Sequence, residues 1–304
     1  MRPGAGSPRR TPSRRAGSRR EAVAGYALLA PSLIGILGFL VFPILVVLWL
    51  TVHRWNIIGE ISFVGLDNWS RVLADGRVAN SLLVTGGFIL LVIPIQTALG
   101  LTTAALLVRG LPGSTIFRTI YVLPWICAPL TLGVVWKWIF SPSGGALNAL
   151  IGRRIEWLSE PALALPSVAA VSIWSNVGYV TLFFMAGLVA IPPTILDAAR
   201  IDGASATRIF WRIKLPLLRP TTFFVLVTGV LAAAQTFDSV YALTGGGPGY
   251  RTDVIAGRIY YEAFANANLG NAAVMAVILL VLLVAITLAQ QLYFRKRITY
   301  DLSG

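Results

Sequence analysis

The sequence predicts an all-α integral membrane protein built from six transmembrane helices, and three observations carry that prediction. Only 12% of the 304 residues are charged, half the roughly 25% usual in soluble domains. Hydrophobic residues make up 56% of the chain, and mean hydropathy is +0.76. Six apolar stretches each approach the roughly 20 residues that cross a hydrocarbon core about 30 Å thick, and five of them carry no charge through the middle. Isolated segments in lipid must satisfy their backbone hydrogen bonds internally, so these stretches are helices.

Residues 1–20 place the pairs Arg9/Arg10, Arg14/Arg15 and Arg19/Arg20 among Pro, Gly and Ser. Such a segment buries too little apolar surface to offset its ordering entropy, so a disordered basic tail is expected, with residues 21–304 forming the six-helix domain. Tyr26–Val52 is about twice as long as the apolar region of a signal peptide and lacks a small-residue cleavage site; it is expected to be a retained span. The others are Asn80–Val108, Ile116–Phe140, Leu165–Ala190, Pro220–Leu243 and Gly270–Phe294. Pro43, Pro94, Pro124 and Pro129 each remove a backbone donor and are expected to bend their helices.

Basic residues orient the bundle. With the N-terminus inside, 17 of the 25 Lys and Arg residues fall on cytoplasmic segments, as the positive-inside rule requires. Both termini are then cytoplasmic, in a multi-pass membrane protein. The net charge of +13 is a membrane-edge property on this reading rather than a nucleic-acid footprint. One cysteine, Cys127, and one histidine, His53, exclude an intrachain disulfide and a Cys- or His-rich metal centre. Asn68-Trp69-Ser70 fits a glycosylation sequon, a pattern short enough to arise by chance.

Between the fourth and fifth stretches lies Ile191–Arg219, too polar to span and too apolar for a loose linker. Pro192-Pro193 opens it, Thr194 is placed to cap a helix, and Asp197 suits the first turn, where a carboxylate complements the dipole. Gly203 permits a turn between two short helices. Ile201, Ile209, Phe210, Ile213 and Leu215 are expected against the bundle, with Arg200, Arg208 and Arg212 pointing away. Period alone describes equally well a helix resting on lipid headgroups.

The same loop carries the residues Asp197-Ala198-Ala199, then Gly203, then Ile213-Lys214-Leu215-Pro216. This resembles the Glu-Ala-Ala-x3-Gly-x9-Ile-x-Leu-Pro signature of permease subunits of binding-protein-dependent ABC importers, with every spacing kept and Asp197 replacing Glu. The resemblance runs from Tyr26 onward. Ala30-Pro31-Ser32-Leu33-Ile34-Gly35, Phe42-Pro43, Leu243-Thr244-Gly245-Gly246-Gly247-Pro248-Gly249 and Tyr260-Tyr261-Glu262-Ala263-Phe264 resemble the first of two carbohydrate permeases, of the maltose and glycerol-phosphate type. Leu123-Pro124-Trp125-Ile126-Cys127-Ala128-Pro129 and the Arg-rich tail resemble mycobacterial-type sugar permeases, including those for amino sugars.

The resemblance implies a type I ABC importer permease fold whose 191–219 loop is a cytoplasmic coupling helix. Gly203–Ile209 would form its tip, including Ala204 and Ser205, with Asp197 and Arg208 as polar contacts and Pro216 closing it. It further implies a bacterial plasma membrane, a second permease as heterodimer partner, two ATP-binding subunits that hold ATP and Mg, an extracytoplasmic solute-binding protein and a sugar substrate. This chain itself would bind no cofactor. Gly245–Gly249 is not a phosphate loop, because no lysine follows it as Gly-x4-Gly-Lys-Ser/Thr demands.

Polar groups in spans tend to line pathways. Ser172, Asn176 and Tyr179 fall at i, i+4 and i+7 on one helix face, and the resemblance aligns them with sugar-contacting positions. Gly229, Ala233 and Thr236 occupy the matching face of the fifth stretch, with Trp174, Gln235, Ser239 and Tyr241 as secondary candidates. Asp238 is the one acid placed deep in a span, either as a sugar or amine contact or as an interhelical partner. An ion-coupled secondary carrier would need charged relays in several spans, and a membrane enzyme a cluster of acids, histidines or a nucleophile. Neither pattern is present.

Overall fold

A computed structural model describes residues 14–110 and 112–295, so most of the basic tail, with Lys296 and Arg297, lies outside the described residues. The chain forms two compact units, Met1–Trp49 and Leu50–Gly304.

Among the described residues the first unit is one long helical segment. α1 (Arg14–Ile36) continues through a π-helical turn, Leu37–Val41, into α2 (Phe42–Leu50). Helix therefore begins inside the stretch expected to be disordered, where Arg and Ala are good helix formers. Pro43 accounts for the wide turn: it has no N–H to donate, and the register is carried by Phe42 N–H bonding to Leu37 O. Val23–Leu50 qualifies as a span and is apolar on all sides, with Leu28 and Phe39 exposed. A helix of that kind needs an apolar surround.

In the second unit, a two-stranded ribbon (β1, His53–Arg54; β2, Ser62–Phe63) and α3 (Asp67–Ala74) precede the longest helix, α4 (Gly76–Leu107). Asn68, 1% exposed, donates to the carbonyls of Thr51 and His53 at 3.0 and 2.9 Å, so its amide ties the ribbon to α3 and is no glycan acceptor. Pro94 sits within α4 without ending it. α5 (Ser114–Ile126) and α6 (Pro129–Ile139) meet at 100°. The expected span Ile116–Phe140 is thus two helices. Pro124 and Pro129 bracket the break, and Ala128 is extended, as a residue before proline prefers.

After α7 (Ala146–Ile151) come α8 (Ala164–Val189), α9 (Pro193–Ile201) and α10 (Ala206–Ile209). A second π-helical turn, Phe210–Lys214, leads through α11 (Leu215–Leu217) into α12 (Arg219–Ala234). α13 (Asp238–Leu243), α14 (Ile255–Tyr260), a third π-helical turn and α15 (Leu269–Arg295) complete the chain. Among the described residues four helices are long and apolar enough to cross a membrane, and up to six if α5–α6 and α10–α12 each count as one bent span. The expected stretch Pro220–Leu243 breaks at Gln235–Phe237, so Asp238 opens a new helix instead of lying within one.

α4 and α8 run together through two cores, one around Phe88, Val92, Val168 and Val274, the other around Ala104, Val180, Phe184 and Leu218. Small residues allow the approach: Gly100 lies against Val180 and the backbone of Thr181, and Gly178 against the backbone of Tyr121 on α5.

The connection from Thr244 to Val254 docks on the start of α4. Thr252 Oγ1 donates to Gly247 O at 2.6 Å, Ser81 Oγ donates to Asp253 Oδ2 at 2.9 Å, and the Ile255 amide donates to Thr85 Oγ1 at 2.9 Å. The Gly245–Gly249 run is therefore a turn, with Gly245, Gly246 and Gly249 at positive φ. Asp253 is 5% exposed. Burial pushes its carboxyl above the usual range, partly offset by the Ser81 hydrogen bond and by Arg258 and Arg77. A raised acid contributes its full stability when protonated, below the ordinary value of 3.8, and loses it as pH rises through the folded value. Asp253→Asn is accordingly expected to melt higher than the parent at neutral pH and to match it near about pH 4. A lower melting temperature at neutral pH would mean that the two arginines outweigh burial.

Candidate functional site

Two places concentrate polar groups within the second unit: a cavity among α4, α5, α8 and α12, and the short helices between α8 and α12.

The cavity encloses about 230 Å³, and Ser172, Asn176, Tyr179, Gly229, Ala233 and Thr236 all line it. The helical spacing that put the first three on one face of α8 thus brings them opposite the matching face of α12. Gln96, Trp125 and Thr228 join them. Gln96 is 6% exposed inside an apolar helix, so the search for polar groups in spans would have found it had it been applied to α4. Trp125 carried no such signal, being one aromatic among many. Its ring stacks on Tyr179 with centroids 4.9 Å apart and planes at 26°. The stack continues edge-on to Phe183, which meets Phe224 at a tilt of 38°.

Hydrogen bonds fix the polar groups. Asn176 Nδ2 donates to Ser172 O at 2.9 Å, which directs the amide without using its oxygen. Thr228 and Thr236 donate back to Phe224 O and Ala232 O, leaving their hydroxyl oxygens free to accept. Among the described residues no Asp, Glu, Lys, Arg or His lines the cavity. An aromatic face with amides and hydroxyls, and no net charge, is the chemistry that holds an uncharged polyol.

Asp238 does not line this cavity. It stands in the first turn of α13, half-buried, two residues beyond Thr236, and has no hydrogen-bond or ion-pair partner among the described residues. Trp174 packs on Trp136, and Tyr241 on Phe237 and Tyr260; both lie outside the cavity, as do Gln235 and Ser239.

The second place is a helix–turn–helix. α9 begins at Pro193, whose fixed φ suits the first helical position; Thr194 falls inside the helix and does not cap it. Asp197 lies past the first turn and instead pairs with Arg200, both exposed, a contact worth no more than about 1 kcal/mol. The chain reverses at Gly203 (φ +75°), where Gly203 N–H bonds Arg200 O at 3.0 Å and Ala204 N–H bonds Ala199 O at 2.9 Å. Ser205 caps α10, its Oγ accepting from the Arg208 amide at 3.3 Å. The Phe210–Lys214 turn is wide because Pro216 offers no N–H.

Ile209 and Ala199 are buried and Phe210, Ile213 and Leu215 half-buried, while Ala198, Ser205, Arg208 and Arg212 are exposed. Ile201 departs from expectation: it is 86% exposed. The inward stripe of α9 passes through Leu196 and Ala199, and a residue two positions on projects about 200° away. The turn from Ile201 to Arg208 therefore presents an apolar side chain, an acid (Asp202), small residues and a cation, with its base anchored by Ile209.

Continuous and broken spans wall an uncharged cavity, and a helix–turn–helix links α8 to α12, the arrangement of a polytopic membrane component. The comparisons agree. A family model described as the binding-protein-dependent transport system inner membrane component matches residues 96–300. The sn-glycerol-3-phosphate transport system permease protein UgpA of Agrobacterium fabrum is 39% identical over 280 residues, covering 90% of this chain and 96% of that protein. The trehalose/maltose transport system permease protein MalF of Thermococcus litoralis is 35% identical over 257 residues, covering 83% and 86%. Among solved structures, a bacterial alginate ABC transporter in complex with an alginate pentasaccharide-bound periplasmic protein superposes with a TM-score of 0.81 at 22% identity, over 92% of this chain and 96% of that one. That likeness is one of fold.

The chain belongs to the binding-protein-dependent transport system inner membrane component family, and its fold is that of ABC importer permeases. It is a transport subunit, not an enzyme.

Proposed function

We propose that this chain forms half of the translocation path of an ATP-driven importer for an uncharged or amine-bearing sugar. The observation that carries this reading is the cavity, where Ser172, Asn176, Tyr179 and Thr236 meet Gln96 and the Trp125–Tyr179 stack with no charged side chain among the described residues. A phosphorylated sugar held there by this half alone would leave its charge unpaired in a low-dielectric site, at a cost of several kcal/mol. Asp238, outside the lining but two residues beyond Thr236 and without a partner among the described residues, further disfavours anions and favours an amine. At about 230 Å³ the cavity is smaller than the roughly 300–1,000 Å³ of complete small-molecule sites, which fits a path shared with a second permease.

On this reading the 191–219 segment is cytoplasmic, both termini are inside, and the turn at Gly203 docks on one of two ATP-binding subunits that carry ATP and Mg. A solute-binding protein delivers the sugar from outside. Support comes from the family and from the exposed turn residues Gly203, Ser205 and Arg208.

The test is uptake by the importer purified with its copurifying subunits and reconstituted with its binding protein, whose sugar is identified by calorimetry against a panel. Trp125→Ala and Asn176→Ala are each expected to raise the KM for uptake, by up to about tenfold for loss of a stack worth about 0.5–1.5 kcal/mol. Kinetics unchanged in both variants would remove the cavity from the path. Uptake driven by an ion gradient without ATP would replace the reading with a secondary carrier.

A further inference from the structure

A hollow of about 700 Å³ lies where the ends of α4 and α8 meet α9, α10 and the wide turn after it. Its lining divides by chemistry. Val108, Leu188, Leu196 and Phe210 supply apolar walls, and Arg109, Arg200 and Lys214 supply cations. No Asp or Glu lines it among the described residues. Arg200 is committed to Asp197, whereas Arg109 and Lys214 have no hydrogen-bond or ion-pair partner among the described residues. Trp211, also in the lining, is 61% exposed, and an indole with one apolar and one polar edge suits the level of lipid headgroups.

We propose that this hollow binds an acidic phospholipid, its headgroup phosphate held by Arg109 and Lys214 and its upper acyl chain against Leu188, Leu196 and Phe210. The positive-inside bias explains basic residues at a membrane edge, but not two unpaired cations facing one concavity that also has apolar walls. Basic pockets between spans on the cytoplasmic side are suited to anionic headgroups, and the apolar walls favour a lipid over a soluble phosphate. An ATP-binding subunit is the less fitting occupant: of the tip it would take, Ala206, Thr207 and Ile209 reach the hollow, but Gly203, Ala204, Ser205 and Arg208 lie outside the lining, and Ile209 is buried. A lipid seated here would brace the base of the coupling segment through Ile209, which lines the hollow. The inference rests on the proposed reading only for placing this face in the cytoplasmic leaflet.

The full importer, solubilised and exchanged into an equimolar mixture of phosphatidylglycerol and phosphatidylcholine, is repurified and its retained lipid measured. Enrichment of phosphatidylglycerol is expected, falling at least about tenfold in Arg109→Gln/Lys214→Gln, the loss expected of two cations beside an anionic headgroup. Arg109→Lys/Lys214→Arg should keep it. Thr207→Glu, which sets an acid on the exposed rim and leaves both cations in place, should expel the lipid and covers the case in which the double variant fails to assemble. No enrichment in the parent, or enrichment that survives Thr207→Glu, overturns the site. Displacement by millimolar inorganic phosphate overturns the lipid and assigns a soluble anion. Because retention is read without transport, a complex that imports sugar but retains no phosphatidylglycerol loses only this inference. One that retains lipid but shows no ATP-driven uptake loses only the function proposed above.

Discussion

Gly203→Pro is expected to abolish ATP-driven uptake while leaving the protein inserted and assembled. Gly203 sits at φ +75° and donates its amide to Arg200 O. Proline fixes φ near −65° and has no amide hydrogen, a double conflict costing about 3 kcal/mol or more. The turn must then rearrange, and the exposed face from Ile201 to Arg208 loses its shape. Gly203→Ala separates shape from contact. Nothing lies within 4 Å of its Cβ position, so it bears only the strain of a left-handed conformation, about 1–3 kcal/mol, and should weaken uptake without abolishing it. The measurement is uptake per ATP hydrolysed in proteoliposomes. Wild-type coupling in the proline variant would remove this turn from the transmission path.

Gly178→Ala is the second large effect. A Cβ on Gly178 collides with the carbonyl of Tyr121 and the backbone of Val122, and backbone cannot swing aside as a side chain can. α5 must move off α8, at an overpacking cost of about 1–3 kcal/mol, and the Trp125–Tyr179 stack moves with it. A lower melting temperature, altered tryptophan fluorescence and a raised KM for uptake are expected together. Gly86→Ala on α4 is the control: its Cβ meets nothing within 4 Å, and helix propensity favours Ala over Gly by roughly 1 kcal/mol. If both variants melted alike, the close approach of α5 and α8 would not limit stability.

These two glycines mark where reading the sequence succeeds and where it stops. Gly203 was legible, because a glycine that interrupts a run of helix-forming composition marks a turn between two short helices. Gly178 was not, since its constraint comes from Tyr121, 57 positions away in the chain. The same division holds for the spans. Asn80–Val108, Leu165–Ala190 and Gly270–Phe294 coincide within a few residues with α4, α8 and α15, because hydropathy over a straight helix is a local sum. That sum is blind to direction, so Ile116–Phe140 and Pro220–Leu243 looked continuous. Pro124 and Pro129 signalled the first break. The second, at Gln235–Phe237, has no proline or glycine and follows from packing. The face of α8 was readable from spacing alone, while Trp125 reaches the cavity through the packing of α5 on α8, a contact distant in sequence.

Those two breaks also bear on how the site tolerates change. Trp125 precedes the α5–α6 corner by two residues, and Thr236 lies in the gap between α12 and α13. A helix that stops inside a membrane frees main-chain carbonyls and amides that a continuous one keeps for itself, and such irregular backbone is tolerated at that depth where it faces a cavity. On the proposed path, part of what the solute meets at these corners would be peptide carbonyl, identical whatever side chain is attached. Recognition of that kind would be indifferent to side-chain changes at the corners, whereas moving Pro124 or Pro129 would redirect α5 against α6.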